Sequence, residues 1–400
     1  MRAVDNLGGC GAEKNGEMRM SVREQAYIYG GVRTPYGKYR GRLSSISAVD
    51  LGAFALKHLA ARFPDIMGSA DGLLMGMNIQ AGYGTNPART AGHRAGLPLT
   101  LPSITLNNAC LAGIDCAVDA TRRVRSGEGR VYVVGGMHSS SRAPTLEGVD
   151  QARTLAIHTD GVICPISNTH VGELSDHKNA ELGISRQRQD EWALESHRKA
   201  VRAQFVEWGE IEPIAVDGEE MRVDESIRRN TSLEALAGLS PVFTQDGTIT
   251  AGNAPPLADG AAAAIIANAE FADIARQKPL ARIVDWSYSA GPDWTLHNQP
   301  ADATRRVLAK QGLSPSDIDL YEINEAFAGV VLAALDALRI PPEIVNVNGG
   351  SIAIGHPDTA TATRQLLTLA RELKRRNLRR GIATLCGGGG QGIAILVERD

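Results

Sequence analysis

Apolar and polar positions along the chain alternate between two periods. Gln25-Ala26-Tyr27-Ile28-Tyr29 is a short β-type run that is expected to end in Gly30-Gly31. From Ser47 to Arg62 the spacing changes: Val49, Ala53, Leu56, Ala60 and Phe63 fall three or four apart, the repeat of a helix with one buried face. Ser47 caps its start, with Asp50 reaching back. Further strands are expected at Ser103–Leu106, Gly129–Gly136, Leu320–Ile323, Gly381–Cys386 and Gly392–Val397. Helices are expected at Ile114–Val124, Ser185–Trp208, from Asn324 into Leu338, and at Thr359–Leu373. Strands alternating with helices predict an α/β sheet.

An internal echo refines that expectation. Gly381–Cys386 (GIATLC), a glycine turn and Gly392–Val397 (GIAILV) form a strand pair at the C-terminal end. Gly129–Gly136 (GRVYVVGG) resembles the first member, and the run from Gly260 (GAAAAIIA) resembles the second, far downstream. Two similar halves are therefore expected, 25–141 plus 246–273 and 274–400. The first is interrupted by a polar insertion over 142–245 that suits a substrate-binding subdomain. Residues 1–24 carry charges among glycines and no apolar core, so they read as a flexible extension and not as a secretory signal.

Composition excludes several classes. Of 400 residues, 43% are hydrophobic and the formal net charge is -3, which leaves ample core and no electrostatic pull toward nucleic acid or an anionic membrane. No run approaches the roughly 20 apolar residues of a membrane-spanning helix. Five cysteines are too few and too scattered for a disulfide framework, so free thiols in a reducing cytoplasm are expected. His158, His170 and His177 lack the spacing of a helical zinc pair and no CxxC occurs, so no metal site is expected. Arg371–Arg380, without interleaved aromatics, reads as a solvated helix end.

Four loops carry candidate chemistry, each with a plain structural alternative. Cys110 follows the Ser103–Leu106 strand and precedes a helix, where the dipole favours thiolate; a lone cysteine there is otherwise a packing residue. Cys116 and Cys164 read as bystanders, as does Cys10. Cys386 meets Gly387-Gly388-Gly389-Gly390-Gln391-Gly392, which spells GxGxxG. A strand follows it, so the dinucleotide reading fails. What remains is a thiol beside bare backbone N–H groups, or a simple hairpin turn. His356, in Gly355-His356-Pro357, sits on a tight turn where it can activate a thiol, or is an idle loop residue. Asn324-Glu325 at a strand end can hold a water or polar substrate group, or cap a helix.

Together these loops resemble one family. The chain is similar to the thiolases from about Tyr27 to its end. The markers are Arg33-Thr34-Pro35-Tyr36-Gly37-Lys38, the Cys110 loop, Gly135-Gly136-Met137, Thr250-Ala251-Gly252-Asn253-Ala254, Asp259-Gly260-Ala261-Ala262, Asn324-Glu325-Ala326-Phe327, Gly355-His356-Pro357 and Cys386 with its glycines. The resemblance implies the thiolase fold: two duplicated βαβαβαββ halves in a five-layered α-β-α-β-α core with an inserted loop domain. It implies acyl transfer between coenzyme A thioesters, by Claisen condensation or the reverse thiolysis, with acetyl-CoA, acetoacetyl-CoA or a related short chain as substrate. Cys110 would be the acyl-accepting nucleophile and His356 its activator. Cys386 would be the second acid/base thiol. Asn324 would hold a water that forms one oxyanion hole with His356 Nε2, and the N–H groups of Cys110 and Gly388 would form another. Coenzyme A would be a substrate and no cofactor would be tightly bound. Arg228, His170, Val171, Ala254 and Phe327 would line its path, and a homodimer or homotetramer is implied.

The chain also departs from the family pattern. Ala112 and Pro255 stand where serines are usual, and Asp358-Thr359-Ala360-Thr361-Ala362 replaces a glycine-rich run. Val171 stands where short-chain biosynthetic members have methionine, so the acyl pocket is reshaped. Two alternatives share the fold: a ketoacyl-synthase-like condensing enzyme, which normally has histidine in place of the second thiol, and a non-catalytic subunit that binds acyl-CoA.

Overall fold

The computed structural model describes residues 25–147 and 153–399. The expected extension 1–24, with Cys10, lies outside them.

The first half runs β1 (Tyr27–Arg33), α1 (Ala48–Arg62), β2 (Gly72–Gly76), α2 (Pro87–Arg94), β3 (Ser103–Leu106), α3 (Ala112–Arg125) and β4 (Val131–Ser139). Next come α4 (Val171–Glu181) and α5 (Arg186–Arg202), and then β5 (Ala258–Ala267). The second half contains β6 (Ala281–Ala290), α6 (Gln299–Lys310), β7 (Leu320–Ile323), α7 (Ala328–Leu338), α8 (Asp358–Arg376), β8 (Arg380–Gly387) and β9 (Gln391–Glu398). As expected, the Ser47 hydroxyl accepts from the Asp50 N–H and starts α1. The first strand, however, continues through Gly30 and Gly31 to Arg33, its register against β5 shifting between Ile28 and Gly30. A side chain on Gly31 would meet Leu367 and the backbone of Ala263, so the glycines serve close packing and not a turn.

The strand order is β7-β8-β9-β6-β1-β5-β4-β2-β3, with the halves meeting where β1 pairs briefly with β6. Each half has the same internal order. β4 and β5 pair antiparallel from Val131–Ala267 to Ser139–Asp259, and β8 with β9 from Arg380–Glu398 to Gly387–Gln391. The equivalent of β3 in the second half has shrunk to a parallel bridge between Tyr321 and Val345.

Strands β2, β4, β5, β7, β8 and β9 are buried on both faces along nearly their whole length, which is why they read as apolar runs, whereas β3 at the sheet edge and β6 are partly open to solvent. Along β5, Ala261, Ala263 and Ile265 face the core built on α1 and α2, whereas Ala264 and Ile266 face inward. Along β8, Ala383 and Leu385 share that inner core, and Ile382 faces α6 and α7. Helices α3 and α8 lie between the two sheet halves, giving the five layers of the thiolase fold.

Close backbone packing fixes this central layer. A Cβ at Gly136 or at Gly113 would strike the Thr359 carbonyl at the start of α8. The Thr359 hydroxyl bonds to the carbonyls of Gly76 (3.0 Å) and Met137 (3.1 Å). The start of α8 is thereby fastened to the ends of β2 and β4, beside the start of α3.

Candidate active site

Cys110 lies in the tight connection between β3 and α3. Ala109 before it has φ 48°, a left-handed conformation unusual for a side chain with Cβ. The turn is held by the Ala109 N–H on Asn107 Oδ1 (3.1 Å) and the Leu111 N–H on the Asn108 carbonyl (3.1 Å). Asn108 in turn donates to Asp115 Oδ2 (2.7 Å). Ala112 is fully buried against Gly76, so this departure from the family pattern fills a packing position.

His356 arrives from the opposite half. Gly355 adopts φ 106° and the His356 N–H donates to the Pro256 carbonyl (3.2 Å), which sets the imidazole over α3. Its Nε2 lies 3.3 Å from Cys110 Sγ and its Nδ1 lies 2.9 Å from Thr361 Oγ1. Both distances are met when the thiol donates to Nε2 and Nδ1–H donates to Thr361.

Electrostatics corrects one expectation. The helix dipole was expected to favour thiolate at Cys110, yet burial pushes the thiol well up, and the charge of Asp358 adds to this. Burial also lowers His356 to about 4. The pair therefore rests as neutral thiol and neutral imidazole. The desolvation cost of two buried charges exceeds what one helix terminus returns.

Cys386 ends β8 and is buried in an apolar cluster with Ile249, Leu296, Phe327 and Val330, flanked by Val171, Phe243, Ala254 and Ala326. Burial raises its thiol to about 12. It lies close enough to Cys110 to oppose ionisation of that thiol. After Cys386 the hairpin turns through Gly388, whose would-be Cβ faces open space, and Gly390, at φ 70°, where a Cβ would strike Asp293 and Trp294.

Asn324 follows β7. Its Oδ1 accepts from the Ser351 hydroxyl (2.7 Å), which leaves its buried Nδ2 without a partner among the described residues. A buried amide donor in that state costs energy unless a ligand or water meets it. Glu325 takes a different part from the one expected. It accepts from Trp192 Nε1 (3.0 Å), Ser196 Oγ (2.9 Å), Asn346 Nδ2 (3.1 Å) and the Ile352 N–H (2.9 Å), so it ties α5 to the segment around Asn346 and Ile352 and has no capacity left for substrate.

Of the residues expected near the carrier, Val171, Ala254 and Phe327 gather around Cys386. His170 caps α4, its Nδ1 accepting from the Gly172 N–H (3.0 Å), and stacks on Phe243 at 4.7 Å. Phe243 meets Phe327 edge-on at 5.9 Å. Arg228 is exposed; its N–H donates to His197 Nδ1 (3.1 Å) and its guanidinium donates to the Ala251 carbonyl (2.9 Å), three residues before Ala254. Sequence reasoning missed Phe243, whose one signal is a lone aromatic just before the Thr250–Ala254 motif. It also missed the surroundings of Cys164. Burial opposes ionisation of that thiol, but hydrogen bonds from Ser167 and the backbone of Ile166 and Gly389 outweigh it, placing the thiol against the Cys386 hairpin. Cys110, His356 and Asp358 are the one set of three metal-competent side chains brought together among the described residues, their donor atoms within 4.8 Å. Two of these donors are already engaged with each other as thiol and imidazole.

The model of the thiolase N-terminal domain matches residues 26–270, and that of the thiolase C-terminal domain matches residues 277–399. The chain belongs to the thiolase family. This thiolase is 40% identical over 387 residues to a probable acetyl-CoA acetyltransferase of Mycolicibacterium smegmatis, covering 93% of this chain and 100% of the relative. It is 39% identical over 390 residues to the acetyl-CoA acetyltransferase of Escherichia coli, covering 93% and 98%. Among solved structures it resembles the Bacillus anthracis acetyl-CoA acetyltransferase, with TM-score 0.89, 34% identity and coverage of 94% and 98%. It also resembles human mitochondrial 3-ketoacyl-CoA thiolase, with TM-score 0.89, 32% identity and coverage of 94% and 99%.

Proposed function

We propose that this thiolase is an acyl-CoA C-acyltransferase working in two half-reactions through an acyl-Cys110 intermediate. The observation that carries the reading is the 3.3 Å contact between Cys110 Sγ and His356 Nε2, made across the two halves of the fold.

In the first half-reaction His356 Nε2 takes the Cys110 proton as Sγ attacks the thioester carbonyl. The Sγ–C bond forms, the bond from carbonyl carbon to coenzyme A sulfur breaks, and the departing thiolate takes the Cys386 proton, which leaves Cys386 as thiolate and His356 protonated at Nε2. The carbonyl oxygen, negative in the transition state, is met by the N–H groups of Cys110 and Gly388; losing one such donor typically costs about 3–4 kcal/mol.

In the second half-reaction the Cys386 thiolate removes an α-proton from a second acyl-CoA. The enolate oxygen is held by the Nε2–H of the protonated His356 and a water on the otherwise unpaired Asn324 Nδ2. The α-carbon attacks the acyl carbon on Cys110, and the Cys110 sulfur leaves and takes the proton back from His356 Nε2, while Cys386 keeps the α-proton, so both thiols and the imidazole return to their neutral state. Thiolysis is the same path reversed. A thiol at about 12 is a stronger base once ionised than an ordinary cysteine, which suits a weakly acidic α-proton.

Val171, Phe243, Leu296 and Phe327 give the acyl chain an apolar wall closed by two rings, which supports acetyl, acetoacetyl or a related short chain. Coenzyme A is a dissociable substrate in this reading, running past His170 and Ala254 to Arg228 on the 142–245 insertion. The thiols need a reducing compartment, so we assign the cytoplasm. No helix among the described residues is long and apolar enough to cross a membrane. A homodimer or homotetramer is the assembly we expect. The test is a panel of acyl-CoA chain lengths scored by coenzyme A release. Release confined to short chains supports the reading, and no release at any length refutes it.

A further inference from the structure

The start of α8 brings a second acidic group to the dyad. Asp358 is the first residue of the helix and is buried. One carboxylate oxygen, Oδ1, lies 3.8 Å from His356 Nε2, on the side of the ring that faces Cys110 and not on the Thr361 side. The other, Oδ2, accepts from Asn78 Nδ2 (2.9 Å) and faces His138 Nδ1 at 3.6 Å. His138 is itself buried and its Nε2 lies 3.0 Å from the Ser140 hydroxyl. The carboxylate is thus held from behind and aimed at the nitrogen that must carry the Cys110 proton.

We propose that Asp358 is a positioning residue for the acyl-transfer step: it steadies the His356 imidazolium formed when Cys110 attacks. The inference rests on the acyl-Cys110 reading. At rest the dyad is neutral and the carboxylate contributes little. As Sγ attacks, the proton moves to Nε2 while negative charge passes from sulfur to the thioester oxygen. The positive charge stays 3.8 Å from Asp358 and the negative charge moves off the sulfur, which lies within 4.8 Å of it. Attraction is retained and repulsion is relieved, so the carboxylate favours the transition state over the resting thiol.

The same placement has an opposite effect on the free thiol. A carboxylate beside sulfur disfavours the isolated thiolate, so Asp358 slows simple ionisation of Cys110 while promoting acyl transfer. An acid serving only the dipole of α8 would change stability alone. Other charges facing the dyad are His138 and Arg364, both of which oppose a proton on His356, and Cys386, which opposes thiolate at Cys110.

The test compares wild type with Asp358→Asn and Asp358→Glu in the full chain. Two rates are measured: acylation of Cys110 by acetyl-CoA in a single turnover, followed by mass, and alkylation of Cys110 by iodoacetamide as a function of pH. Asp358→Asn should slow acylation about tenfold or more, since an opposite charge at this range shifts an ionisation by one to three units. It should also move the alkylation midpoint of Cys110 to lower pH, and Asp358→Glu should restore part of the acylation rate. Wild-type acylation in Asp358→Asn overturns the proposal. So does slower acylation in both variants with an unmoved alkylation midpoint, which marks a packing role. If wild type itself forms no adduct, the acyl-Cys110 reading fails first, and the two failures are told apart.

Discussion

A neutral thiol and a neutral imidazole in contact form a dormant nucleophile, and which nitrogen carries the proton decides whether it can act. Thr361, 2.9 Å from His356 Nδ1, accepts that ring's N–H and leaves Nε2 free for the thiol. Thr361→Val removes the acceptor without changing the shape much. It should lower the Cys110 acylation rate about tenfold, part of the 10²–10⁴ that a placed general base supplies, while Thr361→Ser retains it. Burial also sets the pH range. With His356 held at about 4, the base stays unprotonated well below the ordinary histidine range, so the acid limb of the acylation profile should fall near pH 4 and not near 6.5. A stopped-flow pH series measures it directly.

At the scale of elements, the site depends on how closely α8 approaches β4 and α3. Gly136 and Gly113 make room for the Thr359 carbonyl, two contacts that place the His356 turn over the Cys110 loop. Gly136→Ala forces backbone against side chain. It should cost about 1–3 kcal/mol in denaturant unfolding and depress acylation as well, because the helix that moves carries Thr361. The paired echo of β4–β5 and β8–β9 was legible in the sequence, since strands buried on both faces leave unbroken apolar runs, and so were the ends of β3 and β7, whereas β2, α2, β6 and α6 were not among the expected elements. Helix ends were less so. The helix expected from Asn324 starts at Ala328, because Asn324 and Glu325 are spent on Ser351 and on Trp192 of α5. The juxtaposition of Cys110 with His356 was reachable only through family resemblance: 246 residues separate them, and no local pattern encodes a contact between halves. Asp358 was visible only as a departure, and its direction toward Nε2 comes from packing. The sign of the Cys110 shift was misread because burial does not show in a motif.

Across the whole molecule the insertion must be locked to the core for its wall of Val171 and Phe243 to face Cys386. Arg33 at the end of β1 does this. Fully buried, it reaches Glu210 Oε1 at 2.7 Å and both oxygens of Asp224 at 2.6 and 3.0 Å, and Asp224 also accepts from the Tyr36 N–H. Removing one member of a buried ion cluster leaves the others uncompensated, so Arg33→Met should cost about 3–5 kcal/mol in unfolding free energy. Stability should also fall in acid. His197 and His356 are lowered to about 4 and His297 to about 3, chiefly by burial. Each is neutral in both folded and unfolded chains above pH 6.5. Below that the unfolded chain takes up protons first, so the melting temperature should drop between pH 6.5 and about 4, and His297→Gln should flatten the drop. The central claim is that acyl groups pass through Cys110. Incubation with acetyl-CoA followed by peptide mass analysis tests it most directly. The account predicts an acetyl adduct on the Cys110 peptide in wild type and in Cys386→Ala, none in Cys110→Ala, and condensation lost in both variants. An adduct elsewhere, or normal condensation by Cys386→Ala, would contradict it.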